Sequence, residues 1–571
     1  MAQAPLPQAL PKAAARRAGA RAAPRPAAPH PPVLHKAPAA PPRPDCETEI
    51  KLVATSAMLR RLRRLPLLGA ASQAGAVLQR STYFDTLAGS LSLAGASLRL
   101  RERAGKHEQT LKLAQAGGLE RAEWNIPLPA DAGTAQPDLA ALPPRARTAL
   151  LAAVGAHPLR PFARVEVMRE TRRVTYAGAV IELAFDTGRI VPLTGCGRHG
   201  PGTRICELEL ELVSGRLEAV LALAASLPLG PDLMWQVAGK AERAHALAYD
   251  RPLRAARAMP LALSPDMPAG DAFRAIGWNA LVHLLANLPL VASDPEAVHQ
   301  ARVALRRLRA AFALFAPLWA DGDGSASSAS AGPGPAHWRA ALGDLARALG
   351  PARDLHVLGA RLATAPATPA MARLRQHLAA CETQASARAA SHIASAPTQA
   401  LLMALAGWLE SPAALAAPAA RQPLMAFAGP LLARRRRHLR GQRKQLAALP
   451  EASLHRLRIQ VKKLRYAVGF LAPAQSTGGS ARAARRHEGV LARLQEVLGG
   501  LNDLAVAARP QGPLSAALAE GLPPAEAADM ARLLEAACRA EAPRRKALLE
   551  EARRLLAEEK RIACWWQAQK E

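Results

Sequence analysis

The chain has 571 residues, with 75 Lys plus Arg against 45 Asp plus Glu and a formal net charge of +30. This length excludes a peptide or a minimal disulfide scaffold and predicts several domains. The positive charge predicts an anionic partner. An aromatic content of 4% argues against a single-stranded nucleic-acid binder, which needs aromatic rings for base stacking.

The cysteines and the hydropathy pattern indicate a cytosolic protein. The six cysteines form no C-x-x-C pair, which argues against a disulfide framework and a thiolate zinc site. No uncharged apolar run is long enough to span a membrane, and the N-terminus lacks an apolar core followed by a cleavage site. Residues 1–44 contain Ala, Pro and Arg without any acidic residue, so we expect a disordered tail.

Residues 45–252 show the period-two pattern of β-strands, with charges repeatedly on one face. The charged and polar positions are Glu47, Glu49 and Lys51; Arg99, Arg101 and Arg103; Thr110 and Lys112; Glu182 and Asp186; and Glu207, Glu209 and Glu211. For one strand this face would ordinarily be solvated. Because several strands share the pattern and their intervening residues are apolar, we predict a sheet that curls around its charged face into a polar-lined barrel.

The two kinds of charge predict a metal together with a polyanion. Glu47 and Glu49 would lie about 7 Å apart on one strand face, which suits oxygen ligation of a divalent cation. The glutamates of the later strand need counter-charge from metal or from basic side chains. Candidate phosphate contacts are Arg99, Arg101, Lys112, Arg121, Arg169, Arg172, Lys240 and Arg243. These are more cations than one metal site needs, so several phosphates are expected as well.

Eight segments of this region together resemble the CYTH family of triphosphate tunnel metalloenzymes. They are E-x-E-x-K at Glu47, STYFDT, SLRLR, TLK, RAEW, IELAFD, CELELEL and GKAERA. The resemblance implies an eight-stranded closed antiparallel barrel. Glu47, Glu49 and two of Glu207, Glu209 and Glu211 would bind Mg²⁺ or Mn²⁺, and Lys51 would join the basic residues on phosphate. Members include inorganic, thiamine and RNA triphosphatases and class IV adenylate cyclases. The attacking group would be a metal-activated water, with no covalent nucleophile.

After a linker at residues 253–267 the period becomes helical through residue 570, and two parts of this region repeat each other. One copy carries His299, Arg302, Arg306 and Arg309 with Arg307 beside them, and the other carries His455, Arg458, Lys462 and Arg465 with Lys463 beside them. Each set forms one helical stripe. A solvated basic face and a metal site are alternatives, but no acidic or Cys residue stands at ligand spacing, so phosphate binding is favoured.

These two copies resemble the CHAD family, the conserved histidine α-helical domain. The resemblance lies in the paired segments V-H-x-x-R-x-x-x-R-R-x-R and L-H-x-x-R-x-x-x-K-K-x-R. This resemblance implies an all-α bundle with an internal two-fold repeat that binds inorganic polyphosphate, which would also place the protein at polyphosphate granules. A CHAD domain often follows a CYTH domain.

The sequence thus predicts a CYTH tunnel that hydrolyses inorganic triphosphate to pyrophosphate and phosphate, followed by a CHAD domain that binds polyphosphate. Competing hypotheses are a non-enzymatic polyphosphate-binding protein and a CYTH enzyme that acts on thiamine triphosphate or converts ATP to cyclic AMP. Specific nucleic-acid binding is disfavoured because no nucleic-acid motif is recognised.

Overall fold

A computed structural model provides the structure of the chain. The description covers residues 46–70, 75–114, 119–129, 136–193, 202–319, 333–441, 451–475, 478–507, 522–540 and 544–567. The predicted disordered tail, residues 1–44, lies outside the described residues.

The N-terminal part is a closed antiparallel barrel. Its strands are β1 (Cys46–Ala54), β2 (Val77–Asp85), β3 (Ala96–Arg103), β4 (Lys106–Ala114), β5 (Glu120–Leu128), β6 (Arg160–Tyr176), β7 (Ala179–Pro192), β8 (Thr203–Ser214) and β9 (Leu233–Gln236). The pairing order is β5-β4-β3-β2-β6-β7-β8-β1, and β1 pairs back with β5 to close the eight strands. The predicted eight-stranded barrel is therefore confirmed.

The closing strand β1 changes its partner along its length. Its first residues, from Cys46 to Thr48, pair with β5, whereas Lys51 to Ala54 pair with β9 on the same edge. The other edge pairs with β8 from Glu49 to Val53. The barrel wall therefore has a seam, where β5 and β9 meet along β1.

The apolar face of the barrel strands points outward and is covered. Ile50, Leu52, Leu208 and Leu210 are fully buried in a cluster that continues into the helical part of the chain. A second cluster packs Leu98, Leu100 and Leu111 against helix Pro144–Val154. Because these faces are buried on the outside, the alternate polar side chains are directed into the lumen.

The helices adjoining the barrel are α1 (Ser56–Leu62), α2 (Ser90–Leu93), α3 (Pro144–Val154), α4 (Leu217–Ala225) and α5 (Lys240–Ala248). The helical domain contains α6 (Ala269–Asn287), α7 (Pro295–Leu314), α8 (Pro335–Ala348), α9 (Gly350–Leu362), α10 (Pro369–Ala394), α11 (Ala396–Glu410), α12 (Leu424–Gly441), α13 (Glu451–Leu471), α14 (Gly478–Ala507), α15 (Pro524–Ala540) and α16 (Arg544–Lys560). The predicted all-α second part is confirmed. No described helix is both long and apolar enough to cross a membrane.

The two repeated segments of the sequence form α7 and α13, which pack against each other. Helix α7 begins at Pro295, and the side chain of Asp294 caps it by accepting a hydrogen bond from the Glu296 amide at 2.8 Å. Around these helices, α7 packs on α6, α8 and α9, and α13 packs on α12 and α14.

The barrel and the helical domain share a core. Helix α4 of the barrel part packs on α11, and the Trp235 amide on β9 donates a hydrogen bond to Gln399 Oε1 at 3.1 Å. Both partners of this bond are buried. The helical domain therefore buttresses the barrel wall beside the β1 seam.

Candidate functional site

The barrel encloses a charged cavity of about 180 Å³, called the tunnel here. Predicted site residues that line it are Glu47, Glu49, Lys51, Arg99, Arg101, Lys112, Arg121, Arg169, Glu209, Glu211 and Lys240. They come from β1, β3, β4, β5, β6, β8 and the start of α5. The structure thus brings together charged residues that lie up to almost 200 positions apart in the sequence.

One side of the tunnel carries an excess of negative charge. Glu211 on β8 lies between Glu49 on β1 and Glu182 on β7, so both cross-strand neighbours are carboxylates. Lys51 contacts Glu49, and Lys112 contacts Glu47. Burial, together with the charges of Glu47 and Glu49, nevertheless raises the pKa of Glu211 to about 7. The two lysines therefore do not neutralise this acidic group.

Another part of the tunnel carries an excess of positive charge. The Arg101 guanidinium is 3.6 Å from the carboxylate of Glu108 on β4, and its Nε donates to Ser81 Oγ at 3.4 Å. Burial and repulsion from Arg99 and Arg169 lower the pKa of Arg101 to about 10. Because neighbouring cations destabilise this guanidinium, an anion bound beside it would be stabilised.

A second acidic cluster is already paired with cations. Ligand atoms of Asp186, Glu207 and Glu209 lie within 4.8 Å of one another, and all three residues are buried. Lys240 contacts all three, and Arg169 is 2.5 Å from Asp186 and 2.6 Å from Glu209. Burial would raise the pKa of Asp186 and of Glu209, but these cations hold both below their usual values.

Three predicted site residues do not line the tunnel. Glu207 is fully buried under Lys240 and Arg243, and Arg243 Nη2 lies 2.5 Å from Glu207. Arg172 points to the outside of the barrel, because its side chain alternates with that of tunnel-lining Thr171. It donates to the carbonyl oxygens of Gly69 at 2.8 Å and Arg63 at 2.9 Å. Arg172 therefore lies apart from the residues that line the tunnel, and its contact with phosphate stays a prediction from the sequence.

The sequence analysis missed several residues that line the tunnel. Glu123 and Asn125 follow Arg121 at two-residue intervals on β5, so the strand period could have identified them. Lys112 is 3.0 Å and Arg99 is 3.7 Å from Glu123. Tyr83 also lines the cavity; burial would raise its pKa, but the charge of Arg99 lowers it below the usual value.

The chain matches models of two families. The CYTH domain model matches residues 45–244, and the CHAD domain model matches residues 275–509. The chain contains a CYTH domain followed by a CHAD domain.

Several proteins are similar to parts of the chain. The uncharacterized protein Rv2226 of Mycobacterium tuberculosis is 28% identical over 298 residues, which are 49% of this chain and 52% of that protein. The chain therefore spans about half the length of this curated relative. The CHAD domain of the plant Ricinus communis is 30% identical, with a TM-score of 0.43 and coverage of 53% of this chain and 96% of that one. The inorganic triphosphatase NE1496 is 23% identical, with a TM-score of 0.16 and coverage of 35% and 93%.

In the CHAD domain, the first basic stripe lies beside α9. His299, Arg302 and Arg306 on α7 lie near Arg353 on α9, and burial together with Arg353 lowers the pKa of His299. Arg302 donates to the carbonyl of Ala346 at 2.8 Å. Arg309 is exposed, whereas Arg307 turns inward: it donates to Asn279 Oδ1 at 2.6 Å.

The second stripe of the CHAD domain has a comparable setting on α13. His455 Nδ1 lies 3.2 Å from Asn502 Oδ1 on α14, and Arg465 Nε donates to Gln495 Oε1 at 3.0 Å. Lys463 is exposed, and Arg458 and Lys462 are partly exposed. The two copies therefore place basic stripes on α7 and α13, which are in contact. His299 lies near α9 in the first copy, and His455 lies near α14 in the second.

Proposed function

We propose that the CYTH tunnel hydrolyses inorganic triphosphate in a metal-dependent reaction. One observation carries this proposal: the same cavity combines a negative excess at Glu211 with a positive excess at Arg101. A divalent cation would neutralise the negative charge at Glu211, and a chain of phosphates would neutralise the positive charge at Arg101. The family match supports the same class, since CYTH proteins are triphosphate-tunnel hydrolases or cyclases.

We assign the metal ligands to Glu47, Glu49 and Glu211. Carboxylate oxygens suit Mg²⁺ or Mn²⁺. Burial, together with the charges of Glu47 and Glu49, raises the pKa of Glu211 to about 7, so a cation bound among these acids would stabilise its ionised form. Glu209 lines the same cavity, but its charge is met by Arg169 and Lys240. The bound cation would neutralise phosphate charge and acidify a water molecule.

The basic residues of the tunnel would hold the substrate. Arg99 lies 3.7 Å from Glu123 and Arg101 lies 3.6 Å from Glu108, which are long distances for ion pairs, so phosphate oxygens could compete for both guanidinium groups. Lys51, Lys112 and Arg121 would add contacts from neighbouring strands. These cations would hold the chain and offset the charge that grows on the leaving group.

An unsubstituted triphosphate fits the tunnel better than a nucleotide does. Trp124 and Trp235, the candidates for base stacking, pack in the apolar clusters outside the strands. Tyr83 is the aromatic ring among the described lining residues, and it is buried. The tunnel lining is otherwise polar, which suits phosphate oxygens rather than a base.

We propose further that the CHAD domain, residues 268–570, binds inorganic polyphosphate. Its two stripes place basic side chains along α7 and α13, which are in contact. A long polyanion could therefore meet both stripes at once, and its binding would combine many charge-assisted hydrogen bonds.

The decisive experiment is phosphate release from tripolyphosphate with Mg²⁺, with Mn²⁺ and with EDTA. ATP, thiamine triphosphate and long polyphosphate serve as comparison substrates. Glu47→Gln/Glu49→Gln should abolish metal-dependent release, whereas Glu102→Gln, on the outer face of β3, should leave it unchanged. Absence of turnover on every substrate, with polyphosphate binding retained, would leave a polyphosphate-binding protein; cyclic AMP formed from ATP would identify a cyclase.

A further inference from the structure

A pocket of about 330 Å³ lies between the barrel and the helical domain, and Arg121 on β5 lines both this pocket and the tunnel. We call it the junction pocket. Its walls come from the start of β5, the segment after β9, the linker before α6, and α6 itself. Its volume is in the range of small-molecule sites, which often occur where domains meet.

One wall of the junction pocket is apolar. Val282 and Ala286 on α6 face Leu253 and Met259 on the linker. Met259 is 49% exposed, and its backbone is anchored because its carbonyl accepts a hydrogen bond from Asn279 Nδ2 at 2.8 Å. Its exposed apolar side chain gives a ligand a surface to bury.

The linker holds two arginines at the rim of this pocket. Arg254 and Arg257 line it and are exposed, and neither has a hydrogen bond or ion pair with a described residue. Their backbone is nevertheless fixed. The amide of Ala255 donates to Asp294 Oδ2, and the amide of Ala256 donates to Asn287 Oδ1, both at 3.0 Å. The two guanidinium groups therefore project from a preorganised segment.

The other charges of the pocket lie on the barrel side. Glu242 accepts a hydrogen bond from the Gly239 amide and lies 4.0 Å from Arg121, and Glu120 contacts Cys46. Glu242 therefore faces a cation of the barrel, whereas Glu120 keeps its negative charge on the barrel side. Arg254 and Arg257 supply the positive charge on the linker. A bound anionic group would lie at Arg254 and Arg257, with its organic part against α6.

We propose that the junction pocket is a binding site for an organic phosphate, an anionic phosphate ester with an apolar or aromatic body. The apolar wall would bury the organic part, and Arg254 and Arg257 would bind the phosphate. Inorganic phosphate has no apolar part to pack on that wall, and an uncharged organic molecule has no anionic group for the arginines, so both should bind more weakly than a phosphate ester.

The test is a calorimetric titration of the full chain with phenyl phosphate, 1-naphthyl phosphate and AMP. None of them contains a triphosphate, Glu47→Gln/Glu49→Gln with EDTA present stops hydrolysis, and a parallel titration with saturating tripolyphosphate occupies the basic residues of the tunnel. We expect saturable 1:1 binding of at least one ester, with inorganic phosphate and adenosine at least about tenfold weaker. Excess tripolyphosphate should not displace the ester.

Variants assign the binding to this pocket. Arg254→Gln/Arg257→Gln should weaken ester binding about 10- to 100-fold, as expected for two charge-assisted hydrogen bonds. Arg251→Gln, an exposed arginine just before the linker that does not line the pocket, should change it less than twofold. Ala286→Phe should fill the pocket and abolish binding, and melting temperatures confirm that each variant is folded.

Three results would overturn the proposal: no binding of any ester, binding insensitive to the arginine pair, or displacement by tripolyphosphate. Because the binding assay uses a disabled tunnel and hydrolysis is measured on the unmodified chain, failure of this site and failure of the triphosphatase proposal are separate results.

Discussion

Lys240 Nζ lies 2.8 Å from the carboxylate of Asp186, which is fully buried on β7. The lysine is the first residue of α5, so this contact ties the helix that follows the barrel to the interior of the barrel. Lys240→Met would remove the cation that contacts Asp186, Glu207 and Glu209 together, and would leave Arg169, Arg243 and Lys51 as counter-charge. We expect the free energy of unfolding to fall by about 3 kcal/mol or more, measured by urea denaturation.

The matched control is Lys106→Met, an exposed lysine on β4. It should change stability by less than about 0.5 kcal/mol. Adding Asp186→Asn to Lys240→Met should restore part of the loss, because one uncompensated acid is removed. Unchanged stability of Lys240→Met would contradict the view that this lysine neutralises the buried acids.

Arg101→Gln should separate substrate binding from folding. Burial and the charges of Arg99 and Arg169 destabilise its guanidinium, so its removal should leave the melting temperature unchanged or raised. If Arg101 binds phosphate, kcat/KM for tripolyphosphate should fall about 10- to 100-fold. The control Arg80→Gln alters an exposed arginine on β2 and should change neither quantity. A large loss of stability in Arg101→Gln would instead make this residue structural.

The strand period predicted the polar lumen because a barrel exposes one face of every strand to its interior. The same period excludes Arg172 once Arg169 is accepted, since residues three apart on a strand face opposite sides. Depth along the tunnel could not be predicted in this way. Glu207, Glu209 and Glu211 share one face, yet Glu207 is buried under cations and Glu211 remains beside two acids.

In the helical domain, the repeat predicted which helices carry basic stripes but not which arginines turn inward. Arg307 and Arg309 differ by two positions and lie on different sides of α7, and only the packing of α6 shows that Arg307 meets Asn279. The junction pocket also escaped prediction, because its walls come from segments that sequence periodicity does not bring together.

Polyphosphate binding should depend on both stripes. Arg306→Gln/Lys462→Gln changes equivalent positions on α7 and α13 and should weaken binding of long polyphosphate at least about tenfold, with a smaller salt dependence. Each single variant should show a smaller loss. Arg347→Gln/Arg532→Gln, which alters two exposed arginines outside the stripes, provides the control for overall charge. Equal losses in both double variants would indicate a nonspecific charge effect.

Arg436 is one of four consecutive arginines on α12, Arg434 to Arg437, and its role is structural. Its side chain is 2% exposed and donates to Glu559 Oε1 at 2.6 Å and to the Ile562 carbonyl at 2.7 Å. Arg436→Met should lower the free energy of unfolding by about 3 to 5 kcal/mol, because it leaves the buried carboxylate of Glu559 on α16 without its arginine, with His487 3.2 Å away. Arg437→Met, on an exposed neighbour, should be nearly neutral by urea denaturation. Equal effects of the two variants would refute this distinction.

His283 should make the protein less stable in mild acid. Burial and the charge of Arg307 lower its pKa to about 4, so the folded chain keeps this imidazole neutral above that pH. In the unfolded chain its pKa is about 6.5. Between these values the unfolded state binds more protons, and its stabilisation increases as pH falls from about 6.5 to 4.

The expected loss of stability across this interval is on the order of 3 kcal/mol, and it should be absent from His283→Asn. Urea unfolding at several pH values, with the variant's curve subtracted, isolates this contribution from those of other titrating groups. His356→Asn is the control, because that imidazole is 36% exposed and contacts Glu382. Parallel stability curves for the unmodified chain and His283→Asn would show that burial does not keep His283 neutral.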